Sequence, residues 1–278
     1  MKKIYTYTIL ALSMLTLLFA CEPIEPRESM GGEIEASQLN VTATPVIVDG
    51  KKSNKIALDN HSPVLSLWDY GIGTSVKTTD TILMVSTGNH NITFTGINPN
   101  GTRIEKVLPV EVEELSFPVP PEWAYLVGEG TKTWVWDETA PAVWGNGQYL
   151  DSNAPAWWTL KIGDIDGQAK GEGEGASMEF TLQGAKLTKY KSDGSATTGA
   201  FSLDMNTIVK KADGTIWAKG KLITRGIGVL CGISPNEGGK EVSEYDILIL
   251  DNKKMILSYP EPGAEQGGTG WFWVFRAK

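Results

Sequence analysis

Cysteine and histidine are nearly absent, with two of each in 278 residues. His61 and His90 stand apart, each without a second ligand nearby in sequence, so both read as structural or solvated rather than metal-bound. Basic charge is also short: 25 Lys and Arg face 33 Asp and Glu, a formal net charge of −8. Without a basic patch the chain is a poor partner for nucleic acid, and a neutral ligand suits it better than an acidic one. There is no HExxH, no serine nucleophile elbow, and no phosphate-cradling glycine loop ahead of a helix. Helical periodicity is missing too. What the chain has instead is tryptophan, ten in all, set among 31 glycines.

The first twenty residues, "MKKIYTYTILALSMLTLLFA", join a basic start to an apolar stretch too short for a mature membrane span, and read as a signal peptide, 1–20. Leu18-Phe19-Ala20-Cys21 resembles the lipobox of bacterial lipoproteins. The resemblance implies cleavage before Cys21, lipidation of its thiol, and a lipid anchor as the protein's only hold on the outer membrane, facing the cell surface. An ordinary secretory signal with a chance cysteine stays open as the alternative. Residues 21–37, acidic and proline-bearing, read as a flexible tether. Their early acidic residues resemble the surface-export signal of Bacteroidetes lipoproteins. With Cys21 acylated, Cys231 has no disulfide partner, and in "GIGVLCGI" it reads as a small buried hydrophobe.

A mature chain of about 250 residues favours two domains. Composition shifts at "VEELSFPVPPEWAYL": Trp68 precedes it, the other nine tryptophans lie within or after it, and Pro118, Pro120 and Pro121 make a stiff connector. Residues 38–118 carry short Val/Ile/Thr-rich runs broken by Gly, Asn and Pro, which predict strands. Trp68-Asp69-Tyr70-Gly71 and "GNHNITFTGINPNGT" resemble the signature and the strand-and-turn segment of the PKD fold, an immunoglobulin-like sandwich. Gly73 and His90 depart from that pattern. The resemblance implies a spacer with Trp68 in its core. Residues 119–278 place "KSDGSA", "KADGT" and "DNKK" turns between extended runs, as hairpins do. The expected fold is all-β: two β-sandwich domains in tandem, PKD/Ig-like and then a larger jelly-roll-like sandwich.

Period-two alternation sorts the tryptophans of the second domain. In "WWTLKI" the set Trp158, Leu160 and Ile162 is apolar and should face the core, leaving Trp157 on a polar face. In "TIWAKGKL" the apolar set is Ile216, Ala218 and Leu222, which leaves Trp217 outside with Lys219 and Lys221. Exposed indoles on polar faces need a purpose or a cover, and coverage by a loop or by the other domain is the plain alternative. "GWFWVFRAK" is apolar on both faces and reads as a doubly buried strand; Trp134 and Trp136 read as core. Trp144 and Tyr149 stand in a Gly/Asn-rich loop beside Asn146, Gln148, Asp151 and Asn153. Sugar rings dock their C–H faces on such indoles while amides pair their hydroxyls. The candidate ligand-binding set is Trp157, Trp217, Trp144, Tyr149, Asn146, Gln148 and Asn153.

With lipobox, PKD-like segment, "KTWVWDETAPAVWGNGQY", "APAWWTL" and a final "GWFWVFRAK", the chain resembles surface glycan-binding lipoproteins of Bacteroidetes polysaccharide utilization loci. The resemblance implies a polysaccharide or oligosaccharide partner, a β-glucan such as laminarin as first expectation, and a SusC/SusD-like importer nearby. No enzyme is expected. A jelly-roll glycoside hydrolase would need two carboxylates about 5–10 Å apart, and no strand presents acids at alternate positions. Asp164, Asp166, Glu172 and Glu174 read as structural or solvated. They could hold a structural calcium, though no complete loop motif is present and no cofactor or metal is otherwise expected. A structural or adhesive surface protein is the third reading.

Overall fold

In the computed structural model, residues 32–278 are described; the expected signal peptide, Cys21 and the expected tether up to Gly31 lie outside them. The first unit runs through β1 (Val41–Val48), β2 (Lys51–Asn60), β3 (Leu65–Asp69), β4 (Thr74–Ser75), β5 (Thr79–Leu83), β6 (Gly88–Ile97) and β7 (Arg103–Val112). They form two sheets, β1-β2-β5 and β4-β3-β6-β7, with every pairing antiparallel. Ile56, Leu58 and Ile82 from one sheet meet Trp68, Ile92, Phe94 and Val110 from the other in a single core. Trp68 is fully buried there, edge-on to Phe94 at 4.5 Å, and its Nε1 donates to the Lys77 carbonyl oxygen. The end of the expected tether is already part of this unit. Asn98 accepts from the Ile34 N–H and donates to the Ile34 carbonyl oxygen, both at 3.1 Å.

After the helix α1 (Pro121–Val127), which has Pro at its start where no N–H is missed, come β8 (Thr131–Trp136), β9 (Trp144–Gln148), β10 (Thr159–Leu160), β11 (Ser177–Thr181) and β12 (Lys186–Tyr190). Then follow β13 (Ala196–Lys210), β14 (Ile216–Arg225), β15 (Ile233–Ser234), β16 (Lys240–Glu241), β17 (Glu244–Leu250), β18 (Lys254–Pro260) and β19 (Thr269–Ala277). The main strands β8, β11, β12, β13, β14, β17, β18 and β19 pair in chain order, and β19 returns to pair β8. The sheet therefore closes on itself, an eight-stranded meander. The expected closure is reached without jelly-roll crossings, because each main strand pairs the next main strand in the chain. Three of its hairpin turns are the ones visible in the sequence. Asp193, Asp213 and Asp251 each accept the backbone N–H two residues on, from Ser195, Thr215 and Lys253, the Asx-turn geometry that favours Asp there.

The ring's interior is filled. Trp134, Trp136, Met178, Phe180, Leu222, Tyr245, Leu257, Trp273 and Phe275 form one core. Helix α1 covers one end, with Trp123 against Phe201 and the Trp134 Nε1 donating to the Leu126 carbonyl oxygen. Toward the other end the Trp273 Nε1 donates to the Cys231 carbonyl oxygen. Cys231 is buried, and burial pushes its thiol up, away from reactivity. Glu172, read from the sequence as part of a solvated loop, is buried instead. It accepts from the Cys231 N–H at 2.7 Å and pairs with Lys189 at 2.8 Å, so it pins the loop over the core.

The strand β14 breaks the simple alternation. Ile216 is opposite Lys210 and Ala218 is opposite Val209, so Trp217 has no partner. This is a bulge, and it turns two successive side chains to one side. Trp217 and Ala218 both join Phe272, Tyr149 and Val209 in a second small core outside the ring, while Ile216 is the residue left exposed. Asp246 lies on this outer side too, buried, with the Tyr149 hydroxyl donating to its Oδ2 at 3.4 Å.

The two units are joined by more than the linker. Asn54 accepts from the Phe117 N–H and donates to the Phe117 carbonyl oxygen, which holds the approach to the linker on the first unit. Ile72 and Val85 of the first unit pack against the core of the second, and Arg225 Nη2 donates to Thr74 Oγ1 at 3.2 Å.

Two outcomes follow. Trp217→Ala should cost about 3–5 kcal/mol in chemical denaturation, the loss expected for a large buried ring. Burial raises the Asp246 carboxyl above its ordinary 3.8. The buried acid thus favours folding below that value, a contribution lost as pH rises through the folded-state value. Asp246→Asn should therefore raise the urea midpoint at neutral pH, with the gain vanishing toward pH 3.8; an equal gain at both would refute the assignment.

Candidate functional site

The aromatic-rich segment 143–160 forms a lip on one edge of the closed sheet. Strand β19 is longer than its partner β8. Its C-terminal half pairs β8, while residues 269–273 pair β9, whose free edge takes β10. The glycines among the tryptophans have a steric purpose. Gly145 has φ +148°, and a Cβ there would collide with the Trp158 carbonyl oxygen. At Gly147 a Cβ would meet Ser152 Oγ at 2.9 Å. Both allow the returning strap, residues 151–158, to lie directly on β9.

Asn146 holds that strap. Its carbonyl oxygen accepts the N–H groups of Ala156 and Trp157, and its side-chain Oδ1 accepts the Trp158 N–H, at 2.9–3.0 Å. The strap is therefore looped where alternation assumed a pleat. Trp157 and Trp158 both emerge, 53% and 41% exposed. Trp157 is exposed as expected. Trp158, expected in the core, is not sealed in it: β10 contains only Thr159 and Leu160, so the strand phase that should bury Trp158 begins after it. Its ring rests edge-on against Trp144 at 5.6 Å and Trp271 at 6.0 Å.

The other expected site residues divide. Trp144 is fully buried, stacked on Trp271 at 5.2 Å, and is corrected from ligand contact to foundation. Trp217 is likewise corrected, buried at 7% exposure with its Nε1 donating to the Ser152 carbonyl oxygen. Coverage by a neighbouring loop accounts for it. Tyr149 stands edge-on to Trp217 at 5.1 Å, and burial pushes its hydroxyl up to about 12. These contacts make Tyr149 a support under the lip. Gln148 and Asn153 are exposed on the strap and its approach, and Asp151 accepts from Gln266. So the structure brings Trp157, Trp158, Gln148 and Asn153 to one exposed segment, and puts Trp144, Trp217, Tyr149 and Asn146 behind it. Eight of the ten tryptophans are buried.

Three of the four acids that the sequence singled out are engaged locally, and Glu174 is exposed. Asp164 accepts the Lys161 N–H, Asp166 accepts the Gly173 N–H, and Glu172 is paired as above. Among the described residues no cluster of three or more His, Cys, Asp or Glu is placed to hold a metal ion. Likewise no described helix is long and apolar enough to cross a membrane.

No protein-family model matches this sequence, and no curated protein matches it. Among solved structures, the chain is similar to a carbohydrate-binding module of the β-sandwich superfamily, described for promiscuous specificity. Sequence identity is 10%, 86% of this chain and 90% of that chain are covered, and the TM-score is 0.22. A likeness at that level carries no weight for what this chain binds.

Proposed function

We propose that this protein binds polysaccharide without cleaving it, and that Trp157 and Trp158 are its main contacts. One observation carries the reading: of ten tryptophans only these two are exposed, and they are consecutive on a strap that the fold holds in place. An indole half in water loses apolar burial unless a partner covers it. A sugar ring offers a matching apolar face, while its hydroxyls suit the exposed Gln148 and Asn153 amides. Net negative charge agrees with a neutral polymer.

The finer reading rests on the sequence resemblances. It is a lipid-anchored outer-membrane protein facing the cell surface, lipidated at Cys21, which captures a β-glucan such as laminarin beside a SusC/SusD-like importer. The first unit is its PKD-like spacer. A glycoside hydrolase finds no support in the lip, where Asp151 is bound to Gln266. An adhesive role would use the same exposed rings.

Affinity electrophoresis in gels containing laminarin, mixed-linkage glucan or other neutral polysaccharides tests this directly. The wild type should be retarded by at least one polymer and release no oligosaccharide. Trp157→Ala should weaken binding by about 1–2 kcal/mol, roughly tenfold, with thermal stability nearly unchanged. Trp158→Ala should weaken it similarly and also lower the melting temperature, since that ring rests on Trp144 and Trp271. Gly145→Ala, which pushes the strap off β9, should reproduce the affinity loss with both rings intact. Retardation indifferent to all three changes would place the site elsewhere.

A further inference from the structure

The docked faces of the two units line a cleft of about 660 Å³ that contains no residue of the tryptophan lip. That volume is in the range of small-ligand sites, which favour domain junctions. The first unit lines it with Tyr70, Asn89, His90 and Asn91, and the second with Thr181 and Gln183. Its lining contains no Asp, Glu, Lys or Arg side chain. In a chain with 58 such residues (25 and 33) that is a selective surface. The amides of Asn89, Asn91 and Gln183 are exposed and so accessible to hydroxyls. His90 is fixed by its Nε2 contact with the Ser86 carbonyl oxygen at 3.0 Å. On the second unit's side the wall includes the backbones of Gly130 and Gly184, where a Cβ would meet nothing within 4 Å.

We propose that this cleft is a second binding site, for a short, neutral, hydroxyl-rich ligand of the oligosaccharide class. Charged ligands find no counter-ion in it, and a wholly apolar one would leave its amides and hydroxyls unpaired. That the ligand is a sugar rests on the reading of the lip; that it is neutral and hydroxylated rests on the cleft itself. A guest there touches both units at once. It binds only their docked arrangement and stabilises that arrangement by mass action.

Isothermal titration calorimetry of the whole protein with laminarihexaose and cellohexaose tests the assignment. Three variants accompany the wild type: Trp157→Ala/Trp158→Ala at the lip, the exposed triple Asn89→Ala/Asn91→Ala/Gln183→Ala, and Gln183→Trp, which obstructs the cleft and keeps the other amides. Circular dichroism verifies the folds, and Gln183→Trp decides if the triple variant is unfolded. The wild type should show two sites for at least one hexasaccharide. The lip variant should retain one, and each cleft variant should weaken the other by roughly tenfold or more. A single site that the cleft variants leave unchanged and the lip variant removes overturns the cleft and keeps the lip. A single site with the opposite response keeps the cleft and overturns the lip. Absence of binding to both sugars in the wild type overturns both.

Discussion

The pairing of β19 with β8 is the constraint on which the second unit depends. The last strand closes a sheet whose first strand lies about 140 residues earlier. Closure removes the two edges that an open meander would leave unpaired, and it converts one face of eight strands into an interior. Trp134, Trp136, Trp271 and Trp273 are buried by that act, together with Phe275 and Tyr245. Because β19 outruns β8, its N-terminal half remains available to β9. The lip that carries Trp157 and Trp158 is thus a by-product of how the ring closes.

Rigidity at the lip has a layered origin. Trp271 belongs to the closing strand, Trp144 stacks on it, and Trp158 rests on both. On the opposite side Tyr149 and Trp217 form a second support, tied by the Ser152 carbonyl oxygen and by Asp246. Asn146 fastens the strap between them through three hydrogen bonds. A presented ring that does not have to be ordered on binding loses less entropy when a ligand arrives. The buried tryptophans behind the lip thus fix the position of the two exposed ones.

The inter-unit cleft has a different character. It has no tryptophan, its polar side chains are amides, hydroxyls and the His90 imidazole, and its two walls belong to separate cores. Ile72 and Val85, packed against the core of the second unit, and Arg225, donating to Thr74, hold its two walls together.

Much was legible in the sequence because it was local. Alternating Val, Ile and Thr runs gave strands, Asp-centred turns gave hairpins, and apolar character on both faces of "GWFWVFRAK" matched a strand buried on both sides. Trp68 in its core and Trp157 in water were equally readable. Tertiary structure alone decided the rest. No local signal says that β19 returns to β8, because the pairing residues are remote in the chain. Trp217 turns inward at a bulge, where one extra residue shifts the phase of the side chains. Trp158 turns outward because Asn146 holds its segment in a loop and not a strand. Alternation is a property of regular pleats; where hydrogen bonding departs from the pleat, only the folded chain fixes which side chain meets water.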